Sequence, residues 1–163
     1  MSGKIFCLAR DQSVLGADNK AAISVIMTLL ENLTSATPHG DIVVAFVPDE
    51  EIGLRGAKAL DLGRFAVDFA YTIDCCEQDE VVYENFNAAA AEIGRRAINL
   101  LLHALEQLAI APKIIPMRGG TGGAALSVRG IFTPNYFTGA HNFHSRFEFL
   151  PVSAFISSYL LTR

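Results

Sequence analysis

The sequence predicts an α/β fold: a three-layer α/β/α domain with a mostly parallel sheet and helices on both faces. Three observations carry this. The runs Asp41–Val47 and Phe69–Ile73 are almost continuously apolar, as strands buried on both faces are. Segments with helical apolar spacing alternate with them. Each run is also followed by acids, Asp49–Glu50–Glu51 after the first and Asp74 after the second. That is the sheet edge at which open α/β folds bind ligands.

The elements follow in order. Ile23, Ile26, Met27, Leu30 and Leu33 recur at helical spacing, so a helix is expected over roughly 20–33, capped by Asp18 or Asn19. After the turn-rich stretch 34–40 comes the run that ends at Pro48. A short helix around Gly56–Leu60 leads to the second buried strand. Val81–Ile93 reads as a long strand or hairpin arm. The stripe Ile98, Leu101, Leu102, Leu105, Leu108 predicts a helix from Arg95 to Leu108, and Lys113–Met117 a strand. Arg118–Gly119–Gly120–Thr121–Gly122–Gly123 leads into a helix over Ala124–Val128. Phe132–Phe137 reads as a strand interrupted by Pro134, and Pro151 opens a last helix to Leu161.

Composition narrows the function classes. A chain of 163 residues supports one core that buries roughly 70% of the unfolded surface. Hydrophobic residues make up 51% and charged residues 18%, and mean hydropathy is +0.32, so the chain is apolar for a soluble domain. Its apolar runs fall far short of the ~20 residues a membrane-spanning helix needs, so no membrane partner is expected. The first 15 residues turn charged too soon for a secretory signal, and a cytoplasmic location is expected. Net charge is −4 with no basic run, which argues against nucleic acid as a partner. Cys7, Cys75 and Cys76 lack zinc-knuckle or redox spacing and read as buried free thiols.

The residues that can do chemistry stand at element ends: Asp18, Glu50, Glu51, Asp74 and His144. Carboxylates and an imidazole gathered at one sheet edge suit a hard to borderline divalent metal. Arg118 with Gly119–Gly123 can bind an anion through backbone amides at a helix start. A nucleotide loop is a poor fit there, because no Gly-Lys-Ser/Thr follows. His39 and Asp41 spell His-x-Asp at a strand entry, and His103 reads as structural; neither is given a metal role.

Several motifs occur together and in one order: Leu15–Ala22, Pro38–Ile42, Phe46–Gly53, Tyr71–Asp74, Glu84–Ala89, Arg118–Thr121 and Phe137–His144. Over nearly all of residues 14–150 the chain resembles the peptidase T family, cytoplasmic tripeptide aminopeptidases related to carboxypeptidase G and acetylornithine deacetylase. The resemblance implies two zinc ions bridged by an aspartate and a water. By position, Asp18 is then the bridging carboxylate, Glu51 and His144 ligands of one zinc, Asp74 a ligand of the other, and Glu50 the general base. Arg118, Gly119, Gly120 and Thr121 become a substrate-binding loop, with Arg118 paired to a peptide carboxylate.

The pattern departs from the family in three places. The early His-x-Asp motif has no counterpart in the 17 residues before Asp18. Gly122 stands where relatives carry an aspartate. Ala91–Gly94 runs almost directly into the next helix, so the lid domain that relatives insert is expected to be absent near 93–95. Residues 1–163 are therefore expected to form a single catalytic-type domain with a truncated N-terminal part. Two readings stay open: an aminopeptidase acting on small peptides, impaired in this form and holding one zinc well, or an inactive domain with a binding or scaffold role. Self-association through the surface that the missing lid exposes is expected in either case.

Overall fold

Leu105, Val81 and Phe137 are fully enclosed, and the elements that meet around them place the functional loops. The structure, a computed structural model, describes residues 4–10, 12–74, 76–82, 91–116 and 120–163, with the backbone alone at 91 and 92. In chain order the elements are β1 Phe6–Leu8, α1 Ala17–Asn32, α2 Arg55–Ala59, β2 Thr72–Asp74, β3 Glu80–Val82, α3 Ala91–Gln107, β4 Lys113–Ile114, α4 Gly122–Ser127, β5 Asn135–Phe137, β6 Phe149–Pro151 and α5 Val152–Thr162.

Four strands form a mixed sheet in the order β2-β5-β3-β4. β2 runs parallel to β5 with Asp74 opposite Phe137, β3 runs parallel to β4, and only the β3–β5 junction is antiparallel. Val25 of α1, Leu101 and Leu105 of α3, and Leu161 of α5 share one apolar core with Ile73, Val81 and Phe137 from the sheet. Each such side chain contributes about 1.5–3 kcal/mol when fully buried. α2 and α4 pack against each other as a second group, and the result is the expected three-layer α/β arrangement. Among the described residues no helix is long and apolar enough to cross a membrane.

Most predicted elements are present, with instructive differences. Residues 41–47 lie outside both sheets, and Ile42, Val43, Phe46 and Val47 are exposed. Composition alone cannot make a buried strand: its N–H and C=O groups need a ladder partner, and no described strand pairs with this segment. The predicted arm Val81–Ile93 pairs only as far as Val82, and Ala91–Ile93 belong to α3; residues 83–90, including the Glu84–Ala89 motif, lie outside the described residues.

Helix α1 buries a different face from the predicted one. Ala17, Ala21, Ala22 and Val25 face the core, while Ile23, Met27 and Leu30 point outward. Small residues permit close packing of α1 on α5 and β2, and this outweighs the larger stripe. The α3 stripe is as expected, with Leu101 and Leu105 buried. Cys76 is buried, but Cys7 is exposed on β1, contrary to the expectation of a buried thiol. That strand pairs antiparallel with β6, Cys7 opposite Leu150, a small sheet too short to show periodicity in the sequence.

Candidate metal centre

Asp18 is held in a loop of non-helical backbone at the start of α1. The next residue makes that loop rigid. Asn19 accepts the Ala22 N–H at 3.2 Å with its side-chain oxygen, as a helix cap does, and donates its Nδ2 to the Ile73 carbonyl at 2.7 Å. The Asp18 loop is thereby fastened to β2, one residue before Asp74.

Glu50 and Glu51 project from a tight turn. The N–H groups of Gly53 and Leu54 both donate to the Glu50 carbonyl, Arg55 N–H to Asp49, and Gly56 N–H to Pro48. Asp49 and Leu54, which bracket the pair, both have left-handed φ, 63° and 60°. Gly56 has to lack a side chain, since a Cβ there would collide with the Pro48 carbonyl and approach Val47 Cβ to 2.9 Å. Arg129 fixes α2 behind the turn by donating to the carbonyls of Ala57 and Leu60 at 2.8 and 2.6 Å.

His144 arrives on the loop between β5 and β6, with φ 58°. Its Nε2 lies 2.8 Å from Asp18 Oδ2 and 2.9 Å from Glu51 Oε1. One donor atom from each of Asp18, Glu51 and His144 falls within 4.8 Å of the others. Asp74 lines the same cleft outside that donor group, as does Glu50. The cleft, about 450 Å³, is also bordered by Gly120, Thr121, Leu54, Lys58 and Phe143. Thr121 caps α4, its hydroxyl accepting the Ala124 N–H at 3.1 Å. Arg118 and Gly119 lie outside the described residues.

Crowded carboxylates leave an electrostatic signature. Glu50 is pushed above its usual pKa, first by burial and then by the charges of Asp74, Glu51 and Asp18, with His144 partly offsetting them. His144 is raised in turn, mainly by its hydrogen bond to Asp18 and despite some desolvation. Two carboxylate oxygens and an imidazole nitrogen suit zinc and similar divalent ions, so the residues present fit a metal. A cation would also relieve the mutual repulsion of the acids.

The motif reading passes over Glu148. Its side chain is buried, and its two oxygens accept the backbone N–H groups of Gly16 at 2.6 Å and Asp18 at 3.1 Å. An acid between Phe147 and Phe149 in the run Phe147–Pro151 is the available signal, because a carboxylate within apolar sequence has to be paired when buried. The other histidines stand apart. His141 pairs with Glu77 at 3.1 Å and stacks on Phe149, His39 bonds the Gly40 carbonyl, and exposed His103 neighbours Glu106 and Gln107.

An α/β sheet with acids and an imidazole converging at its edge has the donor set that suits a divalent metal. Residues 4–104 match the family profile described as M42 glutamyl aminopeptidase, and the chain belongs to this aminopeptidase family. A peptidase T-like protein of Yersinia pestis is 44% identical over an alignment of 263 residues, covering 93% of this chain and 64% of the relative. The chain thus spans just under two thirds of that relative, and the alignment is longer than the chain's own 163 residues, so part of it is filled by the relative alone. Aminopeptidase PepT from Bacillus cereus shares the fold with a TM-score of 0.82 at 15% identity, covering 96% of this chain and 72% of that one. The TET1 peptidase of Pyrococcus horikoshii, which can assemble into a tetrahedron or a large octahedral shell, aligns with a TM-score of 0.71 at 21% identity, over 98% of this chain and 51% of that one.

Proposed function

We propose that this chain carries the hydrolytic site of a zinc-dependent aminopeptidase that removes the N-terminal residue of short peptides such as tripeptides. The observation that carries the reading is the convergence of Asp18, Glu51 and His144 donors within 4.8 Å, with Glu50 beside them in the same cleft. In this reading Asp18, Glu51 and His144 would hold one zinc. Asp74, in the same cleft, would offer a single further carboxylate to a second. When bound, zinc supplies Lewis-acid polarisation of a carbonyl and a lowered pKa for water.

The protein's own groups do the rest. Glu50, whose pKa burial and the neighbouring acids raise, takes a proton from the attacking water and returns it to the leaving amine. Leu54 and Phe143 give the cleft an apolar wall for a substrate side chain. Gly120 and Thr121, with Arg118 and Gly119, serve as the substrate loop, and Arg118 pairs with the peptide carboxylate. A cytoplasmic location follows from the same reading, as does a lid missing from this chain, to which the excess length of the relative's alignment lends support.

Hydrolysis by this chain is slow in our reading, because a weakly held second ion forfeits charge stabilisation on the order of 3 kcal/mol, more than a hundredfold in rate. The test is tripeptide hydrolysis by the purified chain with zinc present. Slow turnover that Glu50→Gln abolishes while zinc binding survives is the expected result. Brisk turnover insensitive to that change would overturn both the mechanism and the base. The scaffold reading predicts instead that no hydrolysis is detected even with zinc bound.

A further inference from the structure

We infer that Glu148 is the positioning residue that sets the spacing between Asp18 and His144, an inference that rests on the metal centre proposed above. The two proposed ligands come from loops 126 residues apart in sequence, and neither loop belongs to a sheet ladder at the ligand itself. Glu148 bridges them. It lies four residues beyond His144, in the same loop, and its N–H donates to the Ser145 carbonyl at 3.0 Å, which closes that loop into a turn. Its carboxylate then reaches across to the other loop, one oxygen on Gly16 N–H and the other on Asp18 N–H.

The chemistry requires this residue type. Two N–H donors converge on one buried group, so the group has to offer two acceptors and no donor, which an ionised carboxylate does and an amide does not. Hydrogen bonds to a charged acceptor are also roughly twice as strong as neutral ones. At 1% exposure the Glu148 charge has no solvent to fall back on, so the bridge cannot be exchanged for water without cost. Asn19 restrains the same loop from the other side through the Ile73 carbonyl. Asp18 is thus clamped between a side chain from the His144 loop and the strand that bears Asp74. Groups that orient metal ligands from behind in this way commonly change metal affinity 10–100-fold when altered.

The experiment is cobalt(II) titration of the full chain, followed by calorimetry and visible absorption, for the unaltered protein, Glu148→Gln and Asp18→Ala. Glu148→Gln is expected to lower affinity about 10–100-fold and to shift the cobalt absorption, because an amide presents one N–H to a backbone N–H and pushes the Asp18 loop away. Loss of cobalt binding in Asp18→Ala with unchanged affinity and spectrum in Glu148→Gln would overturn this inference and leave the metal centre standing. Unchanged binding in both variants would overturn the metal centre and the inference with it. A weaker affinity with an identical spectrum would assign Glu148 to fold stability alone and also overturn it. Should Glu148→Gln not fold, hydrogen exchange in the unaltered metal-free chain decides: the Gly16 and Asp18 amides are expected to exchange more slowly than that of exposed Ser13, and equal rates would refute the bridge.

Discussion

His144 Nε2 stands 2.8 Å from Asp18 Oδ2, joining a loop near the start of the chain to one near its end through one close contact. The same nitrogen is 2.9 Å from Glu51 Oε1, so one imidazole serves two carboxylates from two further elements. Removing that ring should therefore disperse the donor group. His144→Ala is expected to weaken zinc binding by more than the ~10–100-fold typical of changes behind a ligand. Elemental analysis after saturation and desalting should find about one zinc per unaltered chain. Two tightly held ions, or an unchanged affinity in His144→Ala, would show the ligands to be misassigned.

Stability of the metal-free chain should fall as pH rises through the titration of this cluster. His144 has its pKa raised above the usual 6.5 in the folded chain, so its contribution is fully present below pH 6.5 and is lost as pH climbs through the elevated value. Glu50, raised above 4.5, acts in the same direction at lower pH, since the folded state holds its proton longer than the unfolded chain does. Zinc affinity should run the other way, because the metal requires the neutral imidazole. Thermal melts of the metal-free chain from pH 5 to 9 check this, and Asp18→Asn should flatten the slope above pH 6.5. A slope of equal size in that variant would exclude the His144–Asp18 pair as its source.

The two glycines that open α4 are expected to respond unequally to substitution. A Cβ at Gly122 would meet nothing nearer than Thr72 Cγ2 at 3.9 Å, so Gly122→Asp should change stability by no more than about 0.5 kcal/mol. A Cβ at Gly123 would stand 2.7 Å from the Thr133 carbonyl oxygen and 2.8 Å from Thr72 Oγ1. Gly123→Ala should therefore cost about 1–3 kcal/mol. Urea denaturation of both variants measures the contrast, and equal midpoints would contradict it.

Outward-facing apolar residues on α1 and on 41–47 lead to a prediction about association. Ile23, Met27, Leu30, Ile42, Val43 and Phe46 are all between 38% and 54% exposed, and exposed apolar surface favours association. Concentration-dependent self-association by light scattering is expected, with Phe46→Ser and Met27→Gln each reducing it. A strict monomer at high concentration would refute this.

Much of the site could be read from the chain because its donors sit in local motifs. Glu50 and Glu51 follow Pro48 with only Asp49 between, and His144 closes an aromatic-rich loop, so their neighbourhood is visible in the order of residues. Glu148 is not visible in that way, since its role lies in accepting amides 130 and 132 residues distant. The bodies of α1 and α3 were legible from period, as helices over about 20–33 and 95–108, but the starts of both and the buried face of α1 were not. An alanine face and an isoleucine face compete there, and only the proximity of α5 decides between them. Likewise the 41–47 run has the composition of a buried strand, while strand formation is a property of pairs.

The seat of α2 on Pro48 separates what is inherited from what is free to vary. The hydrogen bonds within the 49–56 turn run through main-chain atoms, with the absent side chain of Gly56 and Arg129 behind it. Glu51 adds a pairing with His144, but the turn's own bonds use neither acidic side chain. The backbone of the turn is therefore set largely apart from donor identity at 50 and 51. Point changes at these two positions should therefore alter what the cleft offers a ligand while the turn that presents them keeps its shape.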